Sequence, residues 1–175
     1  AARKAMLPGQ VLLTPAALMS TLPHQIRLIG GQWKRTRLGV PGMPGLRPTP
    51  DRVRETLFNW LGQDLAGWRA LDAFAGTGAL GLEAASRGAQ SVLLVEQDAR
   101  LAAALRQHQQ RLSASAVQVL RGDGVAALHG QPAGSLDVVF LDPPFAAASL
   151  YAPALAAAAK ALRPGGFVYL EADAS

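Results

Sequence analysis

Arg69-Ala-Leu-Asp-Ala-Phe-Ala-Gly-Thr-Gly-Ala-Leu-Gly81 decides the fold of this 175-residue chain. It opens on an apolar strand candidate, Ala70–Phe74, passes through glycines at 76, 78 and 81, and runs into a helical stretch from residue 79. Strand, tight glycine turn and helix in immediate succession form the repeating unit of parallel sheets covered on both faces. The alternation continues downstream. Ser91–Glu96, Ala116–Leu120, Leu136–Leu141 and Phe167–Glu171 read as further strands, with helices at about 79–87, 98–112, 124–129 and 149–162. Continuously apolar strands mark a sheet buried on both faces. The fold class is therefore α/β, a doubly wound and mostly parallel sheet.

The glycine turn also points to a ligand. Gly76 and Gly78 let the backbone bend sharply and approach a nucleoside closely. Glu96 ends the second strand 20 residues beyond Gly76, where a carboxylate accepts from both ribose hydroxyls. A nicotinamide cofactor satisfies these features as well. Asp72 argues against it, because a negative charge at the turn is unwelcome to a pyrophosphate and welcome to a cationic amino-acid tail. Arg121-Gly122-Asp123-Gly124 brings another acid after the third strand. Asp123 either accepts from an adenine amino group or caps the next helix, and Asp72 either meets the ligand or only braces its turn. Acids after three strands, with no base among the loop glycines, describe a nucleoside cofactor without phosphates, which S-adenosylmethionine fits.

The fourth of these strands ends in Leu141-Asp142-Pro143-Pro144-Phe145. Two prolines cannot continue a helix and supply no ladder donors. The stiff turn offers the Asp142 carboxylate and the Pro143 carbonyl as acceptors, with the Phe145 ring beside them. That set suits a flat heterocycle with an exocyclic amino group, although a proline turn can also simply close a strand.

Composition narrows the classes. Half the residues are hydrophobic, as in ordinary globular enzymes. Cysteine is absent, which removes disulfides, thiolate metal sites and the nucleophile that cytosine-C5 methylation needs. His24, His108 and His129 show no metal-ligand spacing, so no metal is expected. No run reaches the ~20 apolar residues that span a bilayer, and Pro8, Gly9 and Pro15 break the stretch that superficially resembles a signal peptide. A cytoplasmic location follows as the expectation. The net charge of +5 is uneven. Residues 1–54 carry nine Lys or Arg against Asp51 alone, while the remainder is mildly acidic. A basic N-terminal part on an acidic body points to a polyanionic partner.

Residues 1–24 read as a poorly ordered extension, 25–62 as a basic hairpin and helix, and 63–175 as the core. Gln25–Gly31 and Trp33–Leu38 pair as a hairpin across Gly31-Gln32, carrying Lys34, Arg35 and Arg37 together. After a Pro/Gly loop, Thr49 stands as N-cap, Pro50 at the first helical position and Asp51 in the first turn.

Asp72-x-Phe74-x-Gly76-x-Gly78, Glu96, Asp123 and Asp142-Pro143-Pro144-Phe145, in that order, resemble the class I methyltransferases of exocyclic amino groups. Arg47-Pro-Thr-Pro-Asp-Arg-Val-Arg-Glu-Thr-Leu-Phe-Asn59, with Ile29-Gly-Gly-Gln32 upstream, narrows the resemblance to the RsmD family. These are bacterial methyltransferases of a guanine N2 in 16S ribosomal RNA. The resemblance implies a Rossmann-like sheet and S-adenosylmethionine as cofactor. Its methionine part would lie against Asp72, Phe74, Gly76 and Gly78, its ribose on Glu96 and its adenine by Asp123 and Gly124. Asp142 to Phe145 would receive the base. Thr49, Arg54 and Asn59 would lie near the cofactor entrance, and Lys34, Arg35, Arg37 and Arg47 would grip RNA. The implied partner is 16S ribosomal RNA within a small-subunit assembly, with a monomer as the default. The family's sheet goes on past its fifth strand, so a bare apolar sheet edge is expected here.

The alternatives differ in what they leave unexplained. A DNA adenine-N6 methyltransferase shares Asp-Pro-Pro-aromatic but usually carries a separate target-reading domain. A nicotinamide dehydrogenase leaves the proline motif without a role. A non-catalytic RNA-binding module needs none of the acids.

Overall fold

The computed structural model describes residues 11–15, 25–43, 46, 48–144 and 148–172. Six parallel strands form one sheet in the order β1-β8-β7-β4-β5-β6: β1 (Val11–Pro15), β4 (Arg69–Asp72), β5 (Ser91–Glu96), β6 (Val117–Arg121), β7 (Leu136–Leu141) and β8 (Leu162–Ala172). Two short strands, β2 (Gln25–Arg27) and β3 (Arg37–Gly39), pair antiparallel beside it. The helices are α1 (Asp51–Leu61), α2 (Ala79–Ser86), α3 (Ala99–Arg111), α4 (Gly124–His129) and α5 (Tyr151–Ala161).

Alternation along the strands divides the core in two. Ala70, Val138, Phe140 and Tyr169 pack with residues of α1, α2 and α3, among them Phe58, Leu82 and Leu105. Leu71, Val139, Leu141, Val168 and Leu170 face the other way, against Leu128 of α4 and Ala154, Ala157, Ala158 and Ala161 of α5. The small side chains of α5 allow close helix–sheet approach, so its alanine run is one face of the core.

The N-terminal unit docks through one buried acid. Glu83 of α2 is fully buried and accepts from the amides of Ile29 (3.0 Å) and Gly30 (2.8 Å), from Arg54 Nη1 (3.3 Å) and from Arg87 Nε (3.1 Å). Arg54, itself buried, also bonds Asp51 at 2.6 Å and the carbonyls of Thr49 and Arg27. Burial lowers its pKa, and Glu83 and Asp51 oppose that shift. The Arg87 guanidinium lies 4.9 Å over the Phe58 ring.

Three expectations change. The hairpin is shorter than the sequence pattern indicates, because a 3-10 turn at Gly31–Trp33 interrupts it. Gly31 sits at φ +75°, and a Cβ there would stand 1.9 Å from the Ser86 carbonyl, so contact with α2 shapes this turn. Pro50, not Thr49, is the N-cap of α1, and no side chain caps it. The third change concerns the sheet edge expected to be bare: Val11–Pro15 pair along β8 from Val168 to Ala172.

Candidate active site

The sheet order puts a row of acids along one rim. Glu171, Asp142, Asp72, Glu96 and Asp123 stand at or just beyond the carboxyl ends of β8, β7, β4, β5 and β6, which are successive neighbours. From β4 the chain winds outward through β5 and β6, then crosses back to place β7 on the other flank of β4. The gap beyond β4 and β7 is therefore the topological switch point, the place where open parallel sheets bind ligands. Asp72 and Asp142 flank it.

The β4–α2 turn is cinched from both sides. The Ala73 amide donates to the Phe140 carbonyl (3.1 Å) and the Ala75 amide to the Val95 carbonyl (2.8 Å). Glu96 Oε1 accepts from the Gly76 amide at 2.9 Å, and Oε2 accepts from the Asp98 amide at 2.8 Å. One carboxylate thus fixes two loops while staying partly exposed. Gly78 caps α2 in the left-handed region at φ +83°, where a Cβ would lie 2.6 Å from Leu105 Cδ2. A Cβ at Gly124 would collide with the Ala73 carbonyl at 1.9 Å, so this glycine lets α4 close on the turn. Asp123 is exposed and caps α4, its Oδ1 accepting from the Val125 amide at 2.8 Å. The capping role left open by the sequence is real, and it holds the carboxylate at the rim.

Asp72 is buried, with Oδ2 accepting from the Gly81 amide at 3.2 Å. Its Oδ1 is buried without a hydrogen-bond partner among the described residues. Burial pushes its pKa up to about 7; the Gly81 and Phe74 amides oppose the shift and the Glu96 charge adds to it. Asp142, partly buried, is raised well above the ordinary carboxyl range by burial, then by the charges of Glu171 and Asp72. Two carboxyls with raised pKa values beside a glycine turn form a corner short of positive charge. The acceptor set fits a cation with a nucleoside body: an orphaned acceptor at Asp72 and carboxylates at Glu96 and Asp123, on a turn that Gly78 and Gly124 allow to pack tightly.

The structure brings Asp72, Phe74, Gly76, Gly78, Glu96, Asp123, Gly124, Asp142, Pro143 and Pro144 to one end of the sheet. Phe145 and Arg47 lie outside the described residues. Arg54 receives a different role from the one expected. Its guanidinium is engaged by Glu83, Asp51 and two backbone carbonyls, so it braces the N-terminal unit instead of reaching a cofactor. Thr49 is buried and contributes its carbonyl to that same guanidinium. Asn59 is exposed on α1 and accepts from Gln63 at 3.4 Å. Lys34, Arg35 and Arg37 are all exposed, and Arg111 of α3 donates to the Arg37 carbonyl at 2.8 Å. The sequence reading passed over Glu171 as a site residue. Its signal was available, for it is an acid at a strand's carboxyl end like the others in the row.

Comparison with known proteins agrees with this geometry. The sequence profile of the family described as conserved hypothetical protein 95 matches residues 26–175. Ribosomal RNA small subunit methyltransferase D of Escherichia coli (strain K12) is 48% identical over 121 residues, which are 69% of this chain and 61% of that protein. The chain thus spans about three fifths of that curated relative's length. A solved structure from Escherichia coli superposes with a TM-score of 0.70 at 42% identity, covering 79% of this chain and 75% of that one. A hypothetical protein of Thermus thermophilus gives a TM-score of 0.71 at 32% identity, covering 83% and 85%.

Proposed function

This chain belongs to the family described as conserved hypothetical protein 95, the RsmD family, and on that premise we propose that it transfers a methyl group from S-adenosylmethionine to the exocyclic N2 of a guanine in 16S ribosomal RNA. The observation that carries the reading is the placement of Asp142 and Pro143 beside Asp72 at the switch point, an amine-accepting corner next to a cation-accepting one. S-adenosylmethionine supplies an activated methyl group on a sulfonium. Asp72, Glu96 and Asp123 would hold its charged tail, ribose and adenine. The protein's share of the chemistry is positioning and electrostatics.

A guanine amino nitrogen is a poor nucleophile because its lone pair is conjugated into the ring. Asp142 and the Pro143 carbonyl accept its hydrogens and turn the lone pair toward the methyl group. Phe145, next after the two prolines in sequence, would stack on the base, a contact of about 1–3 kcal/mol per base. The base must be unpaired or flipped to reach this corner. The alkylated nitrogen is strongly acidic, so Asp142 takes its proton without being a tuned base. A ribosomal RNA substrate sets the place of the reaction, and the proposed setting is the cytoplasm. No described helix is long and apolar enough to cross a membrane.

Binding a cation at this corner has a titration signature. With the Asp72 pKa near 7, its carboxyl is partly protonated at neutral pH, and a nearby positive charge expels that proton. Cofactor affinity is expected to rise between about pH 6 and 8, with net proton release. Calorimetry at pH 7 in two buffers of different ionisation enthalpy measures that release. Heats independent of the buffer contradict the electrostatic account. Folding stability follows the opposite sign. A folded-state pKa above the unfolded value stabilises fully below about 4 and is lost as pH rises through about 7, here up to about 4 kcal/mol for Asp72. Thermal unfolding of the ligand-free chain is therefore expected to shift to lower temperature between pH 5 and 8.

The basic hairpin is proposed to grip the RNA backbone. Reversing Lys34, Arg35 and Arg37 to Glu should weaken RNA binding and reduce the slope of log affinity against log salt by about 2. An unchanged slope assigns these exposed charges another role. Calorimetry with S-adenosylmethionine and, separately, NAD tests the enzyme class: binding of the first alone is expected, and binding of NAD alone restores the dehydrogenase reading.

A further inference from the structure

Asp142 does not act alone at its corner. β7 and β8 run parallel with Phe140 opposite Tyr169 and Leu141 opposite Leu170, so the register carried one residue further sets Asp142 against Glu171. Phe140 and Tyr169 belong to the core under α1 to α3. Strand alternation therefore turns Asp142 and Glu171, two residues after Phe140 and Tyr169, toward that same side. Their side chains are hydrogen-bonded to one another. The acid is held in turn by its neighbours: Tyr169 Oη donates to Glu171 Oε2 at 3.3 Å, and Tyr151 Oη donates to the Glu171 carbonyl at 3.1 Å. Glu171 is thus a tethered side chain, partly exposed, on the strand next to the proposed amine acceptor.

We propose that Glu171 is a positioning residue for Asp142, holding it through a shared proton in the orientation that accepts from the substrate amine and giving the departing proton a way out; the proposal rests on the methyltransferase reading. Two carboxyls in hydrogen-bonding contact need one proton between them, so the pair carries a single negative charge. When Glu171 carries that proton, its O–H points at Asp142 and the remaining Asp142 lone pairs face the site. Once the amine nitrogen is alkylated, its N–H bond breaks, the bonding pair stays on nitrogen and an O–H bond forms on Asp142. The pair then holds two protons and is neutral. The proton on the Glu171 side leaves to solvent, which restores the starting state. Among the described residues, the charged or titratable groups around Asp142 are Glu171 on β8 and Asp72 on β4, with Tyr169 and Tyr151 reaching it through Glu171.

Glu171→Gln keeps the size and one hydrogen bond but removes the charge. The Asp142 carboxyl carbon, followed by NMR in protein labelled at Asp and identified by its absence in Asp142→Asn, is expected to titrate at lower pH in this variant. In steady-state kinetics the same variant should keep KM for RNA and cofactor within about twofold and lose about tenfold in kcat. The acidic limb of its kcat–pH profile should move with the Asp142 titration. Glu171→Asp, which restores the charge, is expected to recover part of kcat. A residue that merely braced β8 would alter unfolding and both constants together while leaving that pH limb in place. An Asp142 titration unchanged in Glu171→Gln overturns the proposal alone. A parent chain that shows the carboxyl coupling but transfers no methyl group to RNA overturns the methyltransferase reading, and the proposal falls with it.

Discussion

Asp142→Ala is expected to slow methyl transfer by at least about 10²–10³-fold, the usual loss when one preorganised polar contact to the reacting group is removed. Cofactor affinity should survive, because the groups assigned to the cofactor are on β4, β5 and β6, whereas Asp142 follows β7. Stability separates a lost contact from a damaged fold. Burial and two neighbouring carboxylates disfavour ionised Asp142, so the alanine variant should unfold no more easily than the parent at pH 8. Single-turnover rates, calorimetric affinity and thermal unfolding check the three parts. Lost cofactor affinity with turnover intact would reverse the roles given to Asp142 and Asp72.

Glu83→Ala is expected to have the largest effect on stability, a loss of about 3–5 kcal/mol. The substitution leaves the buried Arg54 without its buried carboxylate and deprives Arg87 and the amides of Ile29 and Gly30 of their acceptor. Single domains are stable by only about 5–15 kcal/mol, so a large part of the margin would disappear. Glu83→Gln keeps an oxygen for the amides and should fall between parent and alanine variant. Urea unfolding measures both. A loss below about 1 kcal/mol would mean that the N-terminal unit docks by apolar contacts alone.

Much of this architecture is legible in the residues, for a physical reason. Strands buried on both faces are dominated by apolar residues, so Ser91–Glu96 and Leu136–Leu141 can be delimited to the residue from Val92–Val95 and Val138–Leu141. The acids at strand ends are legible too, because Glu96 and Asp142 each end a long apolar run. Glu83 is not, since an acid inside an apolar helix looks like an ordinary surface charge until Arg54, Arg87 and the Gly30 amide converge on it. The same ambiguity placed Arg54 near the cofactor: a basic residue in a distinctive block carries no mark of what it faces. The pairing of Val11–Pro15 with β8 is equally invisible, because Val11 and Val168 are far apart along the chain and only the closed sheet brings them together.

The central claim is that the acid row and the proline corner together methylate a guanine amino group in RNA. Incubating the chain with tritiated S-adenosylmethionine and small-subunit ribosomal RNA, with equal amounts of DNA in parallel, tests it most directly when the product is digested to nucleosides. The account predicts label in RNA alone, recovered as N2-methylguanosine and lost with Asp142→Ala. Label recovered as N6-methyladenine from DNA, with none in RNA, would contradict it.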